Sequence, residues 1–156
     1  MKKITLLTLP VLLALACSRP APEPLPSPNI LFILADDWSY PFASIYGDTL
    51  LRTPNLDRLA KTGVVFTQPY CASPSCTPSR SAILTGKYPH NLGEGVNLVG
   101  KLDTAEITYV DLLQKHGYAV GFDRKGWAPG KFEKMGFKEN PSGHRQEFNA
   151  FVDSIG

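Results

Sequence analysis

Cys76-Thr77-Pro78-Ser79-Arg80 gathers a thiol, a hydroxyl and a guanidinium within one turn of chain. A helix is expected over 77–84, with Pro78 in its first turn, where a missing N–H costs nothing. Cys76 then falls at or just before a helix N-terminus. Free backbone N–H groups and a partial positive charge favour an anion there. Arg80 follows one turn later and shares that face, although an isolated arginine is as readily a surface residue. Cys71 lies five positions upstream of Cys76. In an oxidising compartment the two can pair, or one can simply be buried. A second group is Asp36-Asp37, two carboxylates ending an apolar run. Hard divalent cations take oxygen ligands, yet an Asp-Asp pair alone also suits a turn or a helix cap. Lys125 is the third candidate, with Arg124 beside it as a competing cation.

The elements that must position these groups alternate in type. Asn29-Ile30-Leu31-Phe32-Ile33-Leu34-Ala35 reads as a strand buried on both faces. Asp36 and Asp37 would stand at its C-terminal end, the edge where open α/β sheets bind ligands. Residues 53–63 predict a helix with Thr53 as N-cap, Pro54 at the first position and Gly63 as the stop. Val64-Val65-Phe66 reads as a short strand leading into the Cys76 loop. Tyr109 to His116 predicts a third helix with Leu112 and Leu113 facing inward and Gly117 ending it. Tyr118 to Phe122 predicts a second central strand, with Lys125 just past its end. From His144 to Gly156, Phe148, Phe151, Val152 and Ile155 recur at helical spacing. This alternation implies an α/β fold with a mostly parallel sheet between helices.

Three regions divide the chain. Residues 1–16 have the layout of a secretory signal: Lys2 and Lys3, then an apolar run too short and interrupted to span a bilayer. The run ends in Leu13-Ala14-Leu15-Ala16-Cys17, which resembles a bacterial lipobox and implies acylation of Cys17; the plainer reading is cleavage after a small residue. Both predict export, and acylation adds anchoring at a membrane surface. Residues 17–28 form a proline-rich tether. Residues 29–156 suffice for one small domain. At 43% hydrophobic and 19% charged residues with a net charge of +2, the composition suits a globular domain and does not point to nucleic acid.

With its continuation Ser81-Ala82-Ile83-Leu84-Thr85-Gly86, the Cys76 motif resembles the signature of the type I, formylglycine-dependent sulfatases, N-terminal portion. The resemblance implies an alkaline-phosphatase-like α/β fold, cut short before the domain is complete. It implies that a maturation enzyme oxidises Cys76 to formylglycine (3-oxoalanine), whose hydrate attacks sulfur. Asp36 and Asp37 would match paired acids of a calcium or other divalent-metal site shared with the matured Cys76. Arg80 would hold the formylglycine hydroxyl. Lys125 would match a sulfate-contacting lysine, but the histidine expected two positions later is replaced by Trp127. Cys71, lacking proline and arginine at the required offsets, would be a small buried residue.

The implied function is hydrolysis of a sulfated carbohydrate or aryl sulfate. Phosphonate and phosphate monoester hydrolases of the same superfamily are the enzymatic alternative. A non-catalytic surface lipoprotein, or a decayed gene fragment, is the alternative outside enzymes. Of the histidines, His116 suits a helix C-terminus, His90 lies in the loop after Gly86, and His144 has no chemical context.

Overall fold

The computed structural model describes residues 26–133 and 136–156. The signal segment, Cys17 and the tether up to residue 25 lie outside the described residues. The chain divides into two compact units after Thr62. Among the described residues no helix is long and apolar enough to cross a membrane.

In the first unit, residues 26–35 are extended but form no strand, and Ile30 to Leu34 are all exposed. The expected doubly buried strand is therefore not observed. An extended segment becomes a strand only when its N–H and C=O groups find a second chain segment, and no described residues pair with it. The chain turns at Asp36-Asp37 and then makes a short 3-10 turn, Ser44–Tyr46. Helix α1, Pro54–Ala60, starts with proline as expected but ends before Gly63, at Lys61. Thr53 makes no side-chain cap. Its hydroxyl accepts instead from the Ser44 N–H at 3.0 Å, while Ser44 Oγ donates to the Asp57 carboxylate at 2.7 Å. This polar clasp, rather than an apolar face, fastens the 3-10 turn to α1.

The second unit holds a core of Leu84, Leu92, Leu102, Val110 and Trp127, flanked by Tyr109, Val120, Phe132 and Phe137. Val64 to Phe66 are exposed and form no strand. Helix α2, Cys76–Thr85, matches expectation. Ser75 precedes it in extended conformation, and Gly86 closes it at φ 68°, a left-handed geometry suited to glycine. Thr77, Pro78, Ser81, Ala82 and Leu84 are its buried face.

Helix α3, Tyr109–Lys115, begins with a reciprocal cap. The Asp111 N–H donates to Thr108 Oγ1 at 3.2 Å, and the Thr108 N–H donates to Asp111 Oδ2 at 2.7 Å. Val110 is buried and Leu113 half-buried, three apart on one face; Leu112, expected to face inward, is exposed. Burial raises the Tyr109 phenol above its ordinary pKa of 10.0.

The expected strand at 118–122 contracts to β1, Gly121–Phe122, which pairs in parallel with β2, His144–Arg145. Its register sets Gly121 against His144 and Phe122 against Arg145. Residues 144–156 are thus not helical throughout: helix α4 runs only over Phe148–Ile155, begun by Glu147, whose side chain accepts from the Ala150 N–H. Phe151 packs so closely on Gly121 that a Cβ there would lie 2.9 Å from its ring. The fold is α/β with a two-stranded parallel sheet; a larger sheet between helices is not seen among the described residues.

Candidate active site

Helix α2 sets Cys76 at its first position, half-buried, with Arg80 one turn further on. The loop after β1 comes back to this turn from far along the chain. Lys125 Nζ approaches Cys76 Sγ at 3.4 Å, across 49 residues of sequence. Arg80 Nη1 donates to the Gly126 carbonyl at 2.7 Å. The two bonds fix loop and helix at adjacent points and bring Cys76, Arg80 and Lys125 into one cluster, with Lys125 against the sulfur. Cys71 and Cys76 are both free thiols, and Cys71 is exposed, not buried as expected.

Beneath the cluster the helix is pinned by buried groups. Thr77 Oγ1 donates to the Leu98 carbonyl at 2.6 Å, and Ser81 Oγ donates to the Thr77 carbonyl at 2.8 Å. Trp127 is 0% exposed, and its Nε1–H donates to Ser81 Oγ at 2.8 Å. The tryptophan that replaces the expected histidine is therefore a core residue that seats Lys125 two positions before it. The sequence marks Trp127 only as a departure from a motif; nothing in its spacing announces this bond. Gly126 has φ 50°, and a Cβ there would run into the Phe122 ring, so the loop requires glycine.

Asp36 and Asp37 belong to the first unit. Both are exposed and occupy its turn, with Asp37 at φ 56°. Among the described residues only Asp37 and Arg124, at φ 67°, are non-glycine positions with positive φ. Such backbone costs roughly 1–3 kcal/mol per residue and concentrates at functional sites. Asp37 is one of the expected metal ligands, and Arg124 adjoins Lys125. Two oxygen donors suit a hard cation but are fewer than the six to eight that calcium takes. Among the described residues no group of three or more His, Cys, Asp and Glu is arranged to hold a metal ion. His116 bonds the Leu112 carbonyl at 2.8 Å at the end of α3, and His90 stacks on Tyr88. Both have local structural partners.

The unit thus presents a half-buried thiol at the start of a helix, with Lys125 against the sulfur and Arg80 one turn along the same helix. Comparison with known proteins names the family. The sulfatase family model matches residues 28–155, so the chain belongs to the sulfatase family. It is 46% identical over 115 residues to mouse (Mus musculus) steryl-sulfatase, covering 67% of this chain and 18% of that protein. It is 42% identical over 136 residues to human (Homo sapiens) steryl-sulfatase, covering 80% and 23%. Against N-acetylgalactosamine-6-O-sulfatase of Bacteroides thetaiotaomicron it is 46% identical over 98 residues, covering 60% and 19%. The chain thus spans about a fifth of the length of these relatives. No solved structure gives a significant match.

Proposed function

We propose that this chain carries the nucleophile-bearing part of a sulfuric ester hydrolase acting on a sulfated carbohydrate or aryl sulfate. The observation behind the reading is the approach of Lys125 Nζ to Cys76 Sγ at 3.4 Å. A sulfate monoester brings negative charge to the position of that sulfur. Lys125 and Arg80 offset it from two sides, and the first N–H groups of α2 add donors from below. Formylglycine at position 76, installed by a maturation enzyme, supplies when present the hydrated aldehyde that attacks sulfur. Asp36 and Asp37 would provide two carboxylates to a calcium or other divalent ion, which polarises sulfate oxygens. Export and lipid attachment through Cys17 would set this chemistry at a bacterial membrane surface.

Mass spectrometry of the peptide containing Cys76, from natively expressed protein, tests the reading first. An aldehyde in place of the thiol is expected; an unmodified cysteine or a Cys71–Cys76 disulfide in that material sinks it. Hydrolysis of paired aryl sulfate and phosphonate monoester substrates then separates sulfur from phosphorus chemistry. Lys125→Ala should lower sulfate-ester turnover by roughly 100-fold, the order seen when one transition-state donor is removed. Incorporation of labelled fatty acid that disappears in Cys17→Ser checks the anchor.

A further inference from the structure

A cavity of about 570 Å³ opens beside the cluster, and Lys125 lines it. Its volume falls within the range of small-molecule sites, roughly 300–1,000 Å³. Because the same ammonium reaches Cys76 Sγ at 3.4 Å, the cavity adjoins the reactive position. An ester whose sulfur sits at residue 76 has its alcohol portion within reach of this space. The walls are unequal in charge: Arg124, Lys125, Lys138 and Arg145 face two carboxylates, Glu133 and Glu139. Among the described residues Arg124, Lys138 and Arg145 pair with no carboxylate. All three are exposed at the rim, where their summed positive charge favours an incoming anion.

We propose that this cavity receives a second anionic group, a carboxylate or a further sulfate, on the saccharide that bears the sulfate ester. Lys138 and Arg145 would determine specificity, holding the alcohol portion rather than the reacting sulfate. Arg145 is fixed by the β1–β2 pairing, since it lies in register with Phe122. Lys138 comes from the connection between these strands, so both sides of the cavity belong to one parallel unit. A neutral alcohol portion would leave the cations without a partner. The inference rests on the sulfatase reading only for the seat of the sulfate; the charge selectivity is a property of the cavity.

Calorimetric titration of the full chain at low ionic strength tests it. The ligands are a disaccharide with one sulfate ester and one uronate, and the same disaccharide with the uronate as its methyl ester. The uronate form should bind several-fold to tenfold more tightly, and added salt should shrink the difference. Combined Lys138→Gln and Arg145→Gln should abolish the preference while leaving affinity for the methyl ester unchanged. The charge-keeping pair Lys138→Arg and Arg145→Lys should retain it, which guards against a misfolded double variant. Equal affinity for both forms, no binding of either, or a preference that survives the double variant would overturn the proposal. The desulfated uronate disaccharide separates the two ideas. If it binds as tightly as the sulfated form, and with the same charge dependence, the sulfate seat at Cys76 is wrong and the anion cavity stands.

Discussion

The turn at Asp36-Asp37 and the start of α2 both carry residues of the proposed site, yet their surroundings differ. Behind Asp36 lie exposed residues, Ile30 to Leu34, with no strand pairing. Behind Cys76 lie Thr77, Ser81 and Trp127, all buried and joined by hydrogen bonds. The reactive side of the proposed chemistry is thus preorganised by its own unit. The carboxylate side stands on an exposed turn that follows an exposed apolar run. Preorganised donors assist a reaction because they need no rearrangement when charge develops, so this difference predicts where mutation will hurt.

The largest effect should come from Trp127→Ala. Emptying a fully buried tryptophan site costs about 3–5 kcal/mol, enough to threaten a domain of ordinary stability. Urea denaturation monitored by far-ultraviolet circular dichroism should show the loss. In protein still folded, Cys76 should alkylate faster, approaching the rate of exposed Cys71. Ser81→Ala should follow at about 1–3 kcal/mol, because it leaves the buried Trp127 Nε1–H without its acceptor. If Ser81→Ala were neutral, the buried network would not be what steadies the cluster, and the contrast between the two regions would weaken.

How much of this was readable follows from where each signal is stored. Helix α2 was legible because its signals are local: Pro78 near the start and Gly86 at the left-handed stop. Helix α3 is legible for the same reason, with Gly117 past its end, and the structure adds the Thr108–Asp111 cap at its start. The strands were not legible, since a run such as 29–35 states that it is apolar and extended without naming a partner, and pairing is non-local. Burial failed likewise at Leu112 and Cys71, where tertiary surroundings rather than residue type decide. The meeting of Lys125 with Cys76 cannot be read from spacing across 49 residues; resemblance alone suggested it. Trp127 looked like a lost histidine and is instead the core residue beneath the lysine.

A smaller effect should appear in alkali. Burial raises the Tyr109 phenol above 10.0. A group whose folded pKa exceeds its unfolded value contributes stability that is complete below the unfolded value. That contribution fades as pH rises through the folded one. The unfolded chain therefore ionises Tyr109 first, and stability should begin to fall near pH 10. Tyr109→Phe should flatten that part of the profile, and an unchanged alkaline slope would assign the loss to other groups.

The smallest expected effect lies in the first unit. Ile33 is 76% exposed within an apolar run that pairs with nothing described. Replacing an exposed side chain removes little buried area, so Ile33→Ser should shift the denaturation midpoint by no more than about 0.5 kcal/mol. The same change inside a doubly buried strand would forfeit the transfer energy of an isoleucine, roughly 1.5–3 kcal/mol, and bury a hydroxyl besides. The two outcomes are far enough apart for one denaturation curve to separate them. A small shift upholds the contrast, with a well-packed Cys76 region and a carboxylate turn that follows an exposed run. A large one would mean that the run before Asp36-Asp37 is buried in solution, and that the carboxylates stand on an element as firm as α2.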